Sequence, residues 1–134
     1  MAGAVLAVLL GAVLPLADSI AKFRLEYESK LLAQRLKYVR EISRRADYYG
    51  PVSGREYALA PRMYLDNSQH QYMCRMGSRF IKRWDYDGTV NIKCNRAEIA
   101  FSQNGEATVG TYTVSVGNNR RRVVIDRVGR IRIE

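Results

Sequence analysis

The sequence predicts an α+β fold in which one long N-terminal helix carries an antiparallel β-sheet. Three observations support this. Residues 1–17 (MAGAVLAVLLGAVLPLA) contain no charged side chain, and from Asp18 onward the chain turns amphipathic without a break. An apolar stripe of helical period runs through Leu16, Ile20, Phe23, Tyr27 and Leu31. It resumes one residue over at Leu32, Leu36, Val39, Ile42 and Ala46. Past residue 62 the period falls to two, and short alternating runs are separated by turn-forming residues.

The helix is supported along its polar faces by Glu26–Lys30 and Glu41–Arg45, both in the favourable i,i+4 order. Gly50-Pro51 is the expected end, because glycine suits the position after a helix and proline cannot continue the ladder. The uncharged run is shorter than the roughly 20 residues of a full membrane span. A cleaved signal peptide would want a basic start and a small-residue cleavage site, and neither is present. A buried core helix would need a cover that a chain of 134 residues hardly supplies. The expectation is therefore a membrane segment lacking its first turn or two, with Pro15 tolerated as a membrane-helix kink. The division that follows is 1–17 membrane helix, 18–49 amphipathic helix, 50–62 connector and 63–134 sheet domain.

The connector (GPVSGREYALAPR) carries Gly50, Pro51, Gly54 and Pro61. Strands are then expected at residues 69–76 (QHQYMCRM), 79–84 (RFIKRW), 89–94 (TVNIKC), 99–101 (IAF), 108–116 (TVGTYTVSV), 122–126 (RVVID) and 130–134 (RIRIE). Asp87-Gly88 reads as a hairpin signal, and Asn104-Gly105 and residues 117–119 as further turns. The simplest arrangement is one meander with a face laid on the helix.

The net charge of +9 points to an anionic partner. Enzymatic machinery is absent as a pattern. His70 is the only histidine, and it lies in a polar run. Asp85 and Asp87 are better explained by turn chemistry than as paired catalytic carboxylates, and no glycine-rich loop has phosphate-binding spacing. No catalysis, cofactor or metal is expected. Cys74 and Cys94 could join as a disulfide in an exported domain and would stay free in a cytosolic one. In a simple meander, residues 79–84 would stand between them.

A long helix, apolar and then amphipathic, under an antiparallel sheet resembles the type IV pilins and pseudopilins. Pro15 is similar to the helix-kink proline of that family, and residues 20–45 to its amphipathic half. The tail resembles the GspH/FimT-type minor pilins through residues 99–105 (IAFSQNG), 110–114 (GTYTV) and 123–133 (VVIDRVGRIRI). The resemblance implies a non-enzymatic filament subunit, held in the bacterial inner membrane by a single pass with its globular domain outside the cytoplasm. Residues 1–17 would then pack into the core of a pilus or pseudopilus beside other pilin subunits. The family's processing motif, a glycine before the cleaved bond and then Phe-Thr-Leu-x-Glu, is missing. A start codon assigned too late, a fragment, or a member without the motif would each account for this, and the first is the expectation.

Six arginines lie between positions 120 and 132: Arg120, Arg121, Arg122, Arg127, Arg130 and Arg132, against one acid, Asp126. On a strand, Arg130 and Arg132 share one face and Ile131 and Ile133 the other. Guanidinium groups so spaced can follow a phosphate backbone. Gly129, Arg130 and Arg132 also resemble the GRxR motif of FimT-like minor pilins that bind DNA during natural transformation. The resemblance thus implies double-stranded DNA as a partner, with Arg120, Arg121, Arg122 and Arg127 brought near by strand pairing. The competing reading is a solvated edge strand in which Asp126 pairs with Arg130. On that reading the chain resembles a type II secretion pseudopilin that contacts protein and not DNA, or a basic single-pass membrane protein unrelated to pili.

Overall fold

The computed structural model describes the backbone of residues 2–45, 60–77 and 79–134, with side chains from residue 16 onward within those ranges. Helix α1 spans Ala2–Arg45, 44 residues, and its last described turn carries Arg44 and Arg45. The expected helix end at Gly50-Pro51 lies outside the described residues. The chain resumes at Ala60 and enters β1 (Pro61–Asp66). This strand takes in the last two residues assigned to the connector. Proline is tolerated as the first residue of a strand, and its presence hid β1 in the sequence. A short 3-10 turn, Asn67–Gln69, is capped by the Asp66 side chain, which accepts from the backbone N–H of Ser68. His70 then adopts a left-handed conformation (φ 51°), so the next strand, β2 (Gln71–Met76), starts two residues later than expected.

The remaining strands are β3 (Arg79–Asp85), β4 (Asn91–Cys94), β5 (Glu98–Ala100), β6 (Gly110–Val116), β7 (Asn119–Ile125) and β8 (Ile131–Ile133). They do not form one meander. One antiparallel sheet has the order β3-β2-β1-β5 and a second has the order β4-β6-β7-β8. The hairpin expected at Asp87-Gly88 is the point of departure. Asp87 Oδ1 instead accepts from both the backbone N–H and the hydroxyl of Thr89, each at 2.8 Å. The Tyr86 N–H donates to the carbonyl of His70 at 2.9 Å, which holds Tyr86 over the 3-10 turn. Arg24 of the helix donates to the Thr89 hydroxyl at 2.6 Å. The chain is thereby carried along α1 to start a new sheet rather than folded back on β3.

Both sheets bury apolar side chains against one stripe of α1. Leu25, Leu32, Leu36 and Val39 meet Met63, Tyr72, Cys74 and Ile99 of the first sheet, and Ile92, Tyr112, Val114, Val123 and Ile125 of the second. Arg35 fastens the helix to the first sheet by donating to the Tyr72 hydroxyl, with its guanidinium also lying over the Trp84 ring. The lower part of the predicted stripe is not covered. Leu16, Ile20, Phe23 and Tyr27 are all more than half exposed, and Phe23 is 73% exposed. The stripe that faces the sheets runs through Leu25 and Leu32, rotated from the one on which Phe23 and Tyr27 lie. Of the stripe read from the sequence, therefore, only the part from Leu32 onward is covered by the sheets.

Cys74 is buried in β2 and Cys94 half-buried in β4, on different sheets, and both are free thiols. The disulfide between them is not formed, because the chain changes sheets between the two positions.

Candidate nucleic-acid interface

The second sheet has one face on the helix and one in solvent, and strand alternation decides which arginine goes where. In β7, Arg121, Val123 and Ile125 point toward the helix side, while Arg120, Arg122 and Val124 point out. Cross-strand register extends the outer face. Arg120 lies opposite Ser115, which lies opposite Asn91. Arg122 lies opposite Thr113, which lies opposite Lys93. Arg132 lies opposite Val124. The Asp126 N–H donates to the carbonyl of Arg130 at 3.1 Å and so places that pair in the next row. Lys93, Arg120, Arg122, Arg130 and Arg132 therefore share an outer face with only Asp126 and Glu134 as acids among its described residues. The face is floored by the small polar side chains Asn91, Thr113 and Ser115. Two shallow hollows mark it, of about 580 Å³ beside Thr113, Arg120 and Arg122, and about 420 Å³ beside Lys93 and Ser115.

The sequence named seven residues for this site, and the structure does not bring them all together. Arg120, Arg122, Arg130 and Arg132 are exposed on the face. Ile131 and Ile133 between them are half-buried over Ile125 and Val123, as the alternation requires. Arg121 turns to the other side, where its Nε lies 2.6 Å from Glu26 of α1. That contact is the first cause holding the Glu26 carboxyl below the usual range. Arg127 is exposed in the turn before Gly129. Gly129 is buried, with φ +81°. A Cβ there would stand 2.6 Å from the carbonyl oxygen of Gly105, and the Gly129 carbonyl accepts from Arg40 of the helix at 2.9 Å. Its contribution is the turn that delivers Arg130 to the surface, not a contact.

Two carboxylates organise the arginines. Asp126 Oδ1 accepts from the backbone N–H groups of Val128 at 3.1 Å and Arg130 at 2.9 Å, and Oδ2 faces Arg130 Nε at 3.0 Å. The hydrogen bond from the Arg130 backbone, with the guanidinium behind it, holds the Asp126 carboxyl below the usual carboxylate range. The Asp126–Arg130 pair anticipated from sequence is thus present, yet Arg130 stays 67% exposed and keeps donors free to reach outward. Glu134 sits between Arg122 and Arg132, 3.9 Å and 3.8 Å away. Lys93, Thr113 and Glu134 were not singled out from sequence. Their place on the face depends on β4 pairing with β6 and on the β7–β8 register, which no local pattern reveals.

Other candidates resolve into structure. His70 stacks edge-on against Tyr86 at 5.5 Å, Asp87 caps its turn, and no cluster of metal-ligating side chains occurs among the described residues. Aromatic rings can stack on bases, but Tyr72, Tyr86 and Tyr112 are buried and Tyr64 is 39% exposed, while Tyr48 and Tyr49 lie outside the described residues.

No family model matches the chain, and neither does any curated protein. Among solved structures, the chain is similar to the minor pseudopilin EpsH from the type 2 secretion system of Vibrio cholerae. The TM-score is 0.61 at 11% identity, covering 83% of this chain and 96% of that one. The fold, one long helix under antiparallel sheets, is therefore pseudopilin-like.

Proposed function

We propose that this chain is a minor pilin or pseudopilin subunit that binds double-stranded DNA on the outer face of its second sheet. The observation that carries the DNA reading is the gathering of Arg120, Arg122, Arg130, Arg132 and Lys93 on that one solvent face. Arginine side chains in this arrangement supply bidentate donors to phosphate oxygens, and the hydroxyls between them supply further donors. Membership in a filament is supported by the pseudopilin-like fold and by the uncovered helix stripe, Leu16, Ile20, Phe23 and Tyr27. An apolar stripe left in solvent marks an interaction surface, and other pilin-like helices are its natural occupants. Residues 1–17 would rest in the inner membrane and then move into the filament core, with the sheets outside the cytoplasm. Among the described residues no helix is long and apolar enough to cross a membrane, and the side chains of residues 1–15 lie outside them.

The test is DNA binding by the full chain in detergent across a salt series, beside an R130A/R132A variant. Binding should weaken steeply with salt, and the double variant should flatten the log–log slope by about 1.8, roughly 0.9 for each phosphate no longer neutralised. A folded wild-type chain that ignores DNA at low salt removes the DNA reading. A secretion pseudopilin contacting protein would then lead. The observation in support of that second reading is the fold likeness to a type 2 secretion subunit.

A further inference from the structure

The register of the last strand does more than complete the sheet. Arg122 and Glu134 exchange both backbone hydrogen bonds, N–H to carbonyl at 3.1 Å and 2.7 Å, so they are a directly opposed pair. Arg132, two residues before Glu134, is on the same face. The Glu134 carboxylate is consequently held where two guanidinium groups converge. Oε2 is 3.9 Å from Nη2 of Arg122, and Oε1 is 3.8 Å from Nη2 of Arg132. One oxygen faces each arginine. Neither contact is a close hydrogen bond, and all three side chains are 44–62% exposed. The hollow of about 580 Å³ described above opens at this point, beside Thr113, Arg120, Arg122 and Glu134.

We infer that Arg122 and Arg132 form a clamp for one backbone phosphate of DNA, and that Glu134 is its built-in competitor. The inference rests on the DNA reading above and adds an internal gate to it. A phosphodiester offers two non-bridging oxygens spaced much like the two oxygens of a carboxylate, so it can take the same place between the two arginines. Its arrival displaces Glu134 into solvent and breaks two long, exposed ion pairs, and exposed pairs of this kind are weak. Thr113, beside Arg122 in register, adds a hydroxyl donor to the floor. Without a ligand the carboxylate keeps two like charges from repelling each other and holds the arginines in place. Removing the charge of the Glu134 side chain raises the net charge at the clamp by one unit. Glu134 therefore lowers affinity for DNA and makes binding less salt-dependent than the arginine count alone would give.

The test compares the full wild-type chain with E134Q and with E41Q, using a fluorescently labelled DNA duplex over a salt series. Glu41 lies on α1, exposed and paired with Arg44, so E41Q makes the same change in net charge on the helix instead of the clamp. E134Q should bind about fivefold more tightly at low salt, the scale of one or two exposed ion pairs. Its log–log salt slope should steepen by about 0.9. E41Q should track the wild type, and an added R122A/R132A change should abolish the gain from E134Q. If the wild type binds but E134Q matches E41Q in affinity and slope, the gate is wrong while the DNA face stands. If no variant binds DNA, the gate falls together with the DNA reading.

Discussion

Glu28 sits on the covered side of α1, 7% exposed, and its Oε2 has no hydrogen-bond partner among the described residues. Burial pushes its carboxyl above the ordinary glutamate value, against the pull of Arg35 and Arg24 and with a further push from Asp87. A carboxyl raised in the folded state binds its proton more tightly there than in the unfolded chain. Stability is then greatest below the ordinary glutamate range and declines as pH rises through that range to the raised value. Glu28→Gln should stabilise the protein by about 1 kcal/mol at neutral pH, with the gain vanishing in acid. Thermal melts of both chains at two pH values check this, and an equal difference at both would refute it. Asp126 has the opposite sign. Its lowered carboxyl contributes stability above the ordinary aspartate range, which is lost as pH falls through the folded-state value. Gly129→Ala should cost about 1–3 kcal/mol from the left-handed backbone alone, before the clash with Gly105 is counted. The alternation of Arg130 and Arg132 was legible in the sequence, since i and i+2 on a strand share a face. The role of Gly129 was not, because it depends on a second turn, at Gly105, that meets it only in three dimensions.

At the level of elements, α1 was legible because its stripe and its i,i+4 pairs agree on one period. Which part of the stripe is covered was not legible, because Phe23 and Leu25 are equally apolar and only the sheets' position separates them. The two should behave differently on substitution. Leu36→Ala, at a fully buried position touching both sheets' core, should cost about 2–5 kcal/mol in urea unfolding. Phe23→Ser should change stability by about 0.5 kcal/mol or less. Under the filament reading, the same substitution should impair crosslinking to partner subunits. Equal drops in stability from both would mean that Phe23 is covered after all. Strand β1 escaped the sequence because Pro61 stands at its head and turn-forming residues follow Asp66, so its alternation is brief.

At the level of the molecule, the division into two sheets was hidden, because Asp87-Gly88 has the composition of a hairpin and only its contacts to Arg24 and Thr89 divert it. One helix stripe serves both sheets, so they should melt together. Trp84 fluorescence, reporting the first sheet, and far-ultraviolet circular dichroism, reporting the whole, should give coincident urea transitions. Separate midpoints would show two independent units. The strands also alternate between sheets: β3 belongs to the first, β4 to the second, β5 to the first and β6 to the second. A chain delivered amino end first therefore cannot finish one sheet before starting the other. The first waits for Ala100 to bring β5 beside β1, and the second waits for Ile133 to bring β8 beside β7. Until β8 has emerged, Leu32 and Leu36 have only a partial cover. The β1–β5 pairing is long-range and slow, whereas β8 closes on β7 as a local hairpin once it is available. The newborn chain thus has a window in which its apolar helix face is open to other proteins. The residues of β8 close that window, so damage there should show first as reduced yield of folded protein rather than as a weakened finished fold.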